Sequence, residues 1–100
     1  MSKGYWIAHV DIHNPQGYHA YVEQNGEVFR KYGARFIVRA GPCETVEGQF
    51  RARHVVIEFK DYATALACYR SPEYQRLLAI RSPHGTADIV IIEGYDGPQP

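Results

Sequence analysis

From Gly4 to Ile12 (GYWIAHVDI) every second residue, Trp6, Ala8, Val10 and Ile12, is apolar on one side, and the mixed set Tyr5, Ile7, His9 and Asp11 falls on the other. A period of two is the signature of a strand with two unlike faces. The period then changes. Tyr18, Tyr21, Val22, Val28, Phe29 and Tyr32 recur at spacings of three and four, behind Asn14 as a cap and Pro15 at the first helical position. A helix over residues 15–32 follows, with Gly33 as its left-handed terminator.

Alternation returns at Arg35-Phe36-Ile37-Val38-Arg39-Ala40, opening at Ala34, and Gly41-Pro42 interrupts it. The strand is expected to resume from Cys43 to Glu47, turn at Gly48-Gln49 and come back as Arg53 to Phe59 (RHVVIEF), rich in β-branched residues. Asp61 is placed to cap a second helix over Tyr62–Arg70. Ser71-Pro72-Glu73 repeats the cap-then-proline signal, so the helix breaks and restarts from Tyr74 to about Arg81. After a loop at Ser82–Gly85, Ala87–Glu93 (ADIVIIE) is almost continuously apolar, which reads as a central strand buried on both faces. Residues 96–100 are expected to form a flexible tail.

The order strand, helix, strand, strand, helix, strand is the split β-α-β plan. It implies an α+β domain spanning residues 1–100, core 3–95, with a four-stranded antiparallel sheet and helices on one face. Trp6, Ala8, Val10, Phe36, Val38, Val55, Ile57 and Phe59 make the purely apolar face that should receive the helices. The other face carries Tyr5, Ile7, His9, Asp11, Arg35, Ile37, Arg39, His54, Val56 and Glu58. Its mixture of greasy and charged positions suits a face covered by a second copy better than one left in water.

Composition narrows the partners. Eleven Lys and Arg balance eleven Asp and Glu, so no global positive field exists to hold a nucleic acid, and long-range self-repulsion is absent. No leader-like or membrane-length apolar run is present, and a membrane partner is not expected; cytoplasmic placement, with Cys43 and Cys68 as thiols, is the expectation.

The segments GYWIAHVDIHNP, YGARFIVRAG, the ETVEG turn, RHVVIEF, YRSPEYQRLLAIR and the closing IIEGY resemble the bacterial family of domains of unknown function numbered thirteen-thirty, over about Lys3 to Tyr95. The resemblance implies a ferredoxin-like fold of the dimeric α/β-barrel superfamily, in which two sheets face each other across a two-fold axis. That superfamily includes cofactor-independent oxygenases, lactone isomerases, haem-degrading enzymes and small regulatory ligand-binding domains. Fold likeness does not choose among them.

The five histidines have no metal-ligand spacing, so no metal is expected. No phosphate-cradling glycine loop is present, and no cofactor is expected. Arginines and tyrosines make the better candidates. Arg35 and Arg39 stand four apart on one strand with Glu58 opposite, so a guanidinium there pairs either with Glu58 or with a ligand's carboxylate. Tyr18 and Tyr21 on the first helix, with Tyr69, Tyr74 and Arg81 around the broken second helix, form a further cluster, where rings with hydroxyl tips suit a small-molecule cavity as well as ordinary packing. The leading expectation is a homodimer binding a small anionic or aromatic organic molecule near Arg39, Tyr18, Tyr69 and His9, with Arg35, Glu58, Tyr74 and Arg81 around it. One alternative is a cofactor-independent oxygenase or isomerase with His9 or His54 as general base; another is a structural or regulatory dimer without a ligand.

Overall fold

The computed structural model describes residues 2–100. Strands β1 (Gly4–Ile12), β2 (Arg35–Arg39), β3 (Arg53–Phe59) and β4 (Gly85–Glu93) form one antiparallel sheet in the order β2-β3-β1-β4. Helices α1 (Pro15–Lys31), α2 (Tyr62–Arg70) and α3 (Pro72–Arg81) pack over one face. The molecule measures 17 Å across its shortest axis, room for one sheet and one helical layer and no third. The opposite sheet face is therefore uncovered by the chain itself.

Local signals account for the helix ends. The Asn14 side chain accepts a bond from the Gly17 N–H, that of Asp61 from the Thr64 N–H at 2.7 Å, and that of Ser71 from the Tyr74 N–H at 3.1 Å. Each satisfies an amide that a helix start leaves without an internal partner. Ser71 also donates to the Cys68 carbonyl at 2.7 Å, so one hydroxyl closes α2 and opens α3. Gly33 takes the left-handed conformation after α1, at φ +69°.

The core is aromatic. Trp6, at 1% exposure, meets Phe29, Phe59, Tyr69 and Tyr74 at ring separations of 4.9–5.5 Å, three of the four edge to face. Its indole N–H donates to the Ala65 carbonyl at 2.8 Å, which fixes the ring's orientation and ties β1 to α2.

Three expectations are corrected. The strand does not resume at Cys43–Glu47: residues 40–52 are an exposed loop without strand pairing, entered at Ala40 with φ +54° and turning at Gly48. Pairing is lost because Gly41 and Pro42 interrupt the ladder and nothing across the loop restores it. Second, β4 lies at the sheet edge rather than its centre. Ala87, Ile89 and Ile91 pack on the core, whereas Val90 and Ile92, 51% and 48% exposed, point out on the bare face. The continuous apolar run reflects two greasy faces, only one of them covered.

Third, β2 contains a bulge. Phe36 pairs with Ile57 but Val38 pairs with Val56, so Ile37 is an extra residue facing no partner. Beyond it the alternation inverts: Val38 joins the bare face, and Arg39, opposite Val55, turns to the helical side. A slip of one residue exchanges the faces of everything that follows.

Candidate functional site

The inversion at Ile37 carries Arg39 to a cavity of about 40 Å³ between α1 and the sheet. Its apolar walls include Trp6, Ala8 and Val10 from β1 and Phe29 from α1. The polar lining is Tyr18, Tyr21 and Asn25 from α1, Arg39 from β2, Arg53 from β3, and Tyr74 and Arg81 from α3. Three arginines thus line one small space. No Asp or Glu lines it.

The three arginines are graded in depth: Arg81 is buried at 5% exposure, Arg53 is half-buried, and Arg39 is exposed with its guanidinium 4.0 Å above the Phe36 ring. Arg81 lies 5.6 Å from the centre of the Tyr21 ring. The buried Nε atoms of Arg53 and Arg81 have no hydrogen-bond partner. Among the described residues none of the three arginines makes an ion pair; the acids that do pair take Arg35, Arg51, Lys31 and His19.

Tyr21 and Tyr74 close the inner end with their hydroxyls 2.8 Å apart. Burial pushes the Tyr21 hydroxyl well above its ordinary range, reinforced by Tyr74 beside it. Burial also raises Tyr74, against the opposing pull of Arg81. Tyr18 is raised by burial too, with Arg53 and Arg81 drawing it back. All three phenols keep their protons at neutral pH; one proton of the Tyr21–Tyr74 pair is spent on their mutual bond, which leaves that of Tyr18 and one from the pair.

The expected site residues therefore separate into two groups. Arg39, Tyr18, Tyr74 and Arg81 meet in the cavity. His9, His54, Arg35 and Glu58 lie on the bare sheet face, on the opposite side of the sheet from Arg39 and Tyr18. Tyr69 does not line the cavity; it packs on Trp6 and Tyr74 at 5.5 and 5.3 Å. The alternative in which Arg39 pairs with Glu58 does not hold, because the bulge puts them on different faces. Glu58 instead takes Arg35 at 3.2 Å and the Tyr5 hydroxyl at 3.2 Å.

Arg53 and Asn25 escaped the sequence reading, although a signal existed for both. Arg53 has the same strand parity as Val55, Ile57 and Phe59, and Asn25 falls four residues from Tyr21 and from Phe29. A polar residue in an apolar stripe marks a lined space or a buried partner.

On the bare face, His9 and His54 are direct cross-strand partners whose Nδ1 atoms lie 2.8 Å apart, one donating and the other accepting. Phe50, from the exposed loop, stands 5.3 Å from His9. Beside them Arg51 bridges Asp11 and Asp88, at 2.9 Å to each. The Ala52 N–H and Arg51 together hold Asp11 below the usual carboxylate range. Among the described residues no three of His, Cys, Asp and Glu gather closely enough to hold a metal ion.

The two thiols are unlike. Cys43 is exposed in the loop; Cys68 is fully buried, and burial pushes it up to about 12. Iodoacetamide at pH 8 on the native protein is expected to modify Cys43 alone, a single adduct by mass spectrometry, because the thiolate is the nucleophile. Two adducts at the native rate would contradict the burial of Cys68. The raised folded value also implies a sign: stability from the neutral thiol is present below the unfolded pKa and is lost as pH rises toward about 12.

Comparison with known proteins adds the following. The family described as domain of unknown function, DUF1330, matches residues 3–95. No curated protein matches the sequence. Among solved structures, a protein of unknown function from Rhodopseudomonas palustris is similar at a TM-score of 0.73 and 14% identity, over 96% of this chain and 85% of that one. SnoaB, a cofactor-independent oxygenase from Streptomyces nogalater, gives a TM-score of 0.66 at 10% identity over 97% of each chain. A dimeric ferredoxin-like protein of unknown function from Thermobifida fusca gives 0.52 at 18%, over 92% and 91%. At these identities the likeness shows a shared fold. Among the described residues no helix is long and apolar enough to cross a membrane.

Proposed function

The chain belongs to the DUF1330 family of domains of unknown function, and from that premise we propose that it binds a small organic anion between α1 and the sheet, as a dimer joined through the bare sheet faces. One observation carries the ligand reading: Arg53 and Arg81 line a cavity with buried Nε atoms unpartnered and no acid among the lining residues. A buried guanidinium without a counter-charge costs several kcal/mol, and its fork matches a carboxylate in two parallel hydrogen bonds. A carboxylate ligand supplies that charge, with the phenol of Tyr18 and one of the Tyr21–Tyr74 pair as further donors.

Binding is favoured over catalysis because the cavity lining has no histidine or carboxylate to accept a proton, and its tyrosines are held neutral. The oxygenase reading suggested by the likeness to SnoaB would have to use His9 and His54 on the other side of the sheet. Thermal-shift measurements with a panel of short carboxylates should raise the midpoint of the wild type. In Arg53→Met the same panel should bind roughly 10-fold or more weakly, since a charge-assisted hydrogen bond is lost. Equal responses from the two proteins would remove the cavity from consideration.

Several features support the dimer. Val38, Val90 and Ile92, each more than 40% exposed, lie on the bare face with Ile7 and Val56. The chain has no net charge to oppose self-association, and the Thermobifida fusca protein of the same fold is dimeric. Sedimentation velocity at micromolar concentration is expected to give twice the chain mass for wild type and a single-chain species for Val90→Glu, which places a charge in an apolar contact. A wild-type protomer that stays single would end this part of the proposal.

A further inference from the structure

We infer that the ligand carries two separated negative charges, one held deep between Arg53 and Arg81 and the other at the rim by Arg39; this deepens the anion-binding reading above and rests on it. The depth gradient is the ground for it. Arg81 is 5% exposed and Arg53 half-buried, with their unpartnered Nε atoms shut off from solvent, whereas Arg39 is exposed over Phe36.

Charge counting points the same way. With three guanidinium groups and no acid among the lining residues, a monoanion leaves two uncompensated positive charges and a dianion leaves one. Like charges sharing a low-dielectric space repel, so the second negative group adds to affinity. Size then separates the two groups. A cavity of about 40 Å³ accommodates a few water-sized units, enough for a carboxylate head but not for a longer molecule. The remainder of the ligand must leave the enclosed part toward the exposed lining residue, and that residue is Arg39.

The bulge at Ile37 supports the assignment independently of charge. In a ladder paired without the bulge, the same residues would put Arg39 on the other face of the sheet; with it, Arg39 lines the cavity and its guanidinium is steadied over an aromatic ring. Bulges commonly re-aim a side chain next to a site. A short dicarboxylate, or another chain with an anionic group at each end, is the class of molecule that uses all three arginines.

Isothermal titration of the intact protein at fixed ionic strength and pH 7.5 would compare butanedioate, butanoate and inorganic phosphate. Butanedioate is expected to bind roughly 10-fold or more tightly than butanoate, the return from one added charge-assisted pair. In Arg39→Gln, an exposed substitution checked for an unchanged thermal midpoint, that gap should close to about two-fold, with butanoate affinity little altered. Butanoate and butanedioate binding equally to the wild type would overturn the two-charge inference while leaving anion binding standing. So would phosphate binding as tightly as butanedioate, since a compact dianion cannot span the cavity and its rim. An Arg39→Gln protein that keeps the wild-type gap would overturn the role of Arg39. If none of the three probes binds, the inference fails together with the reading beneath it.

Discussion

Arg81→Met is expected to make the unliganded protein more stable and, in the same stroke, unresponsive to carboxylates. Arg81 is 5% exposed, its Nε has no partner, and no carboxylate pairs with it among the described residues. Keeping an ion out of water without a counter-charge costs several kcal/mol, so an apolar side chain of similar length in its place relieves part of that penalty. Three contributions offset part of that gain: the guanidinium acts on the Tyr74 hydroxyl through a side-chain hydrogen bond, the cation lies in the last turn of α3, a favourable place in the helix field, and it lies 5.6 Å from the Tyr21 ring. A net rise of about 1–2 kcal/mol, roughly 5–10 °C in the melting midpoint, is the expected result. Calorimetry with and without carboxylate checks both halves. A midpoint that falls by a similar amount would mean Arg81 is a structural residue, satisfied in ways its burial does not reveal.

Trp6→Ala should have the largest effect on the fold. The indole stacks on rings from α1, β3, α2 and α3, and its N–H holds the Ala65 carbonyl at 2.8 Å. Removing a buried Trp side chain typically costs about 3–5 kcal/mol, a large part of the 5–15 kcal/mol that holds a typical domain together. Urea unfolding followed by circular dichroism should show a midpoint about 2 M lower or more, or no folded baseline at all. A loss under about 1 kcal/mol would indicate that the four neighbouring rings collapse into the gap.

Much of this frame was legible in the residues, and the reasons differ by element. The period of two in β1 identified its buried side, because Trp6, Ala8 and Val10 form an unbroken apolar row while the opposite side carries residues as polar as His9 and Asp11. The helix starts at Asn14, Asp61 and Ser71 were equally plain, since a short oxygen-bearing side chain ahead of a helix has one strong local use. The broken helix followed from Ser71-Pro72 for the same reason.

What could not be read depended on partners distant in sequence. Phe36, Ile37 and Val38 are three apolar residues in a row, which any register accommodates, so the bulge is set by how β3 pairs with them. That single step decided whether Arg39 met Glu58 or the cavity. For β4, an almost continuous apolar run reads as burial on both sides, yet the strand order places β1 and β3 in the middle. Arg53 and Asn25 were visible as interruptions of otherwise apolar faces, but an interruption acquires meaning only when Arg81 and Arg39 are seen beside it.

The unpaired residue in β2 makes the wall of the chamber a matter of pairing rather than of sequence. Straightening the strand with every residue kept would set Val38 opposite Val55 and turn Arg39 away, exchanging an ion-attracting lining for an oily one. A three-nucleotide deletion of Ile37, by contrast, would leave Val38 opposite Val56 and Arg39 opposite Val55, so the charge of the chamber is inherited unchanged through the loss of that codon.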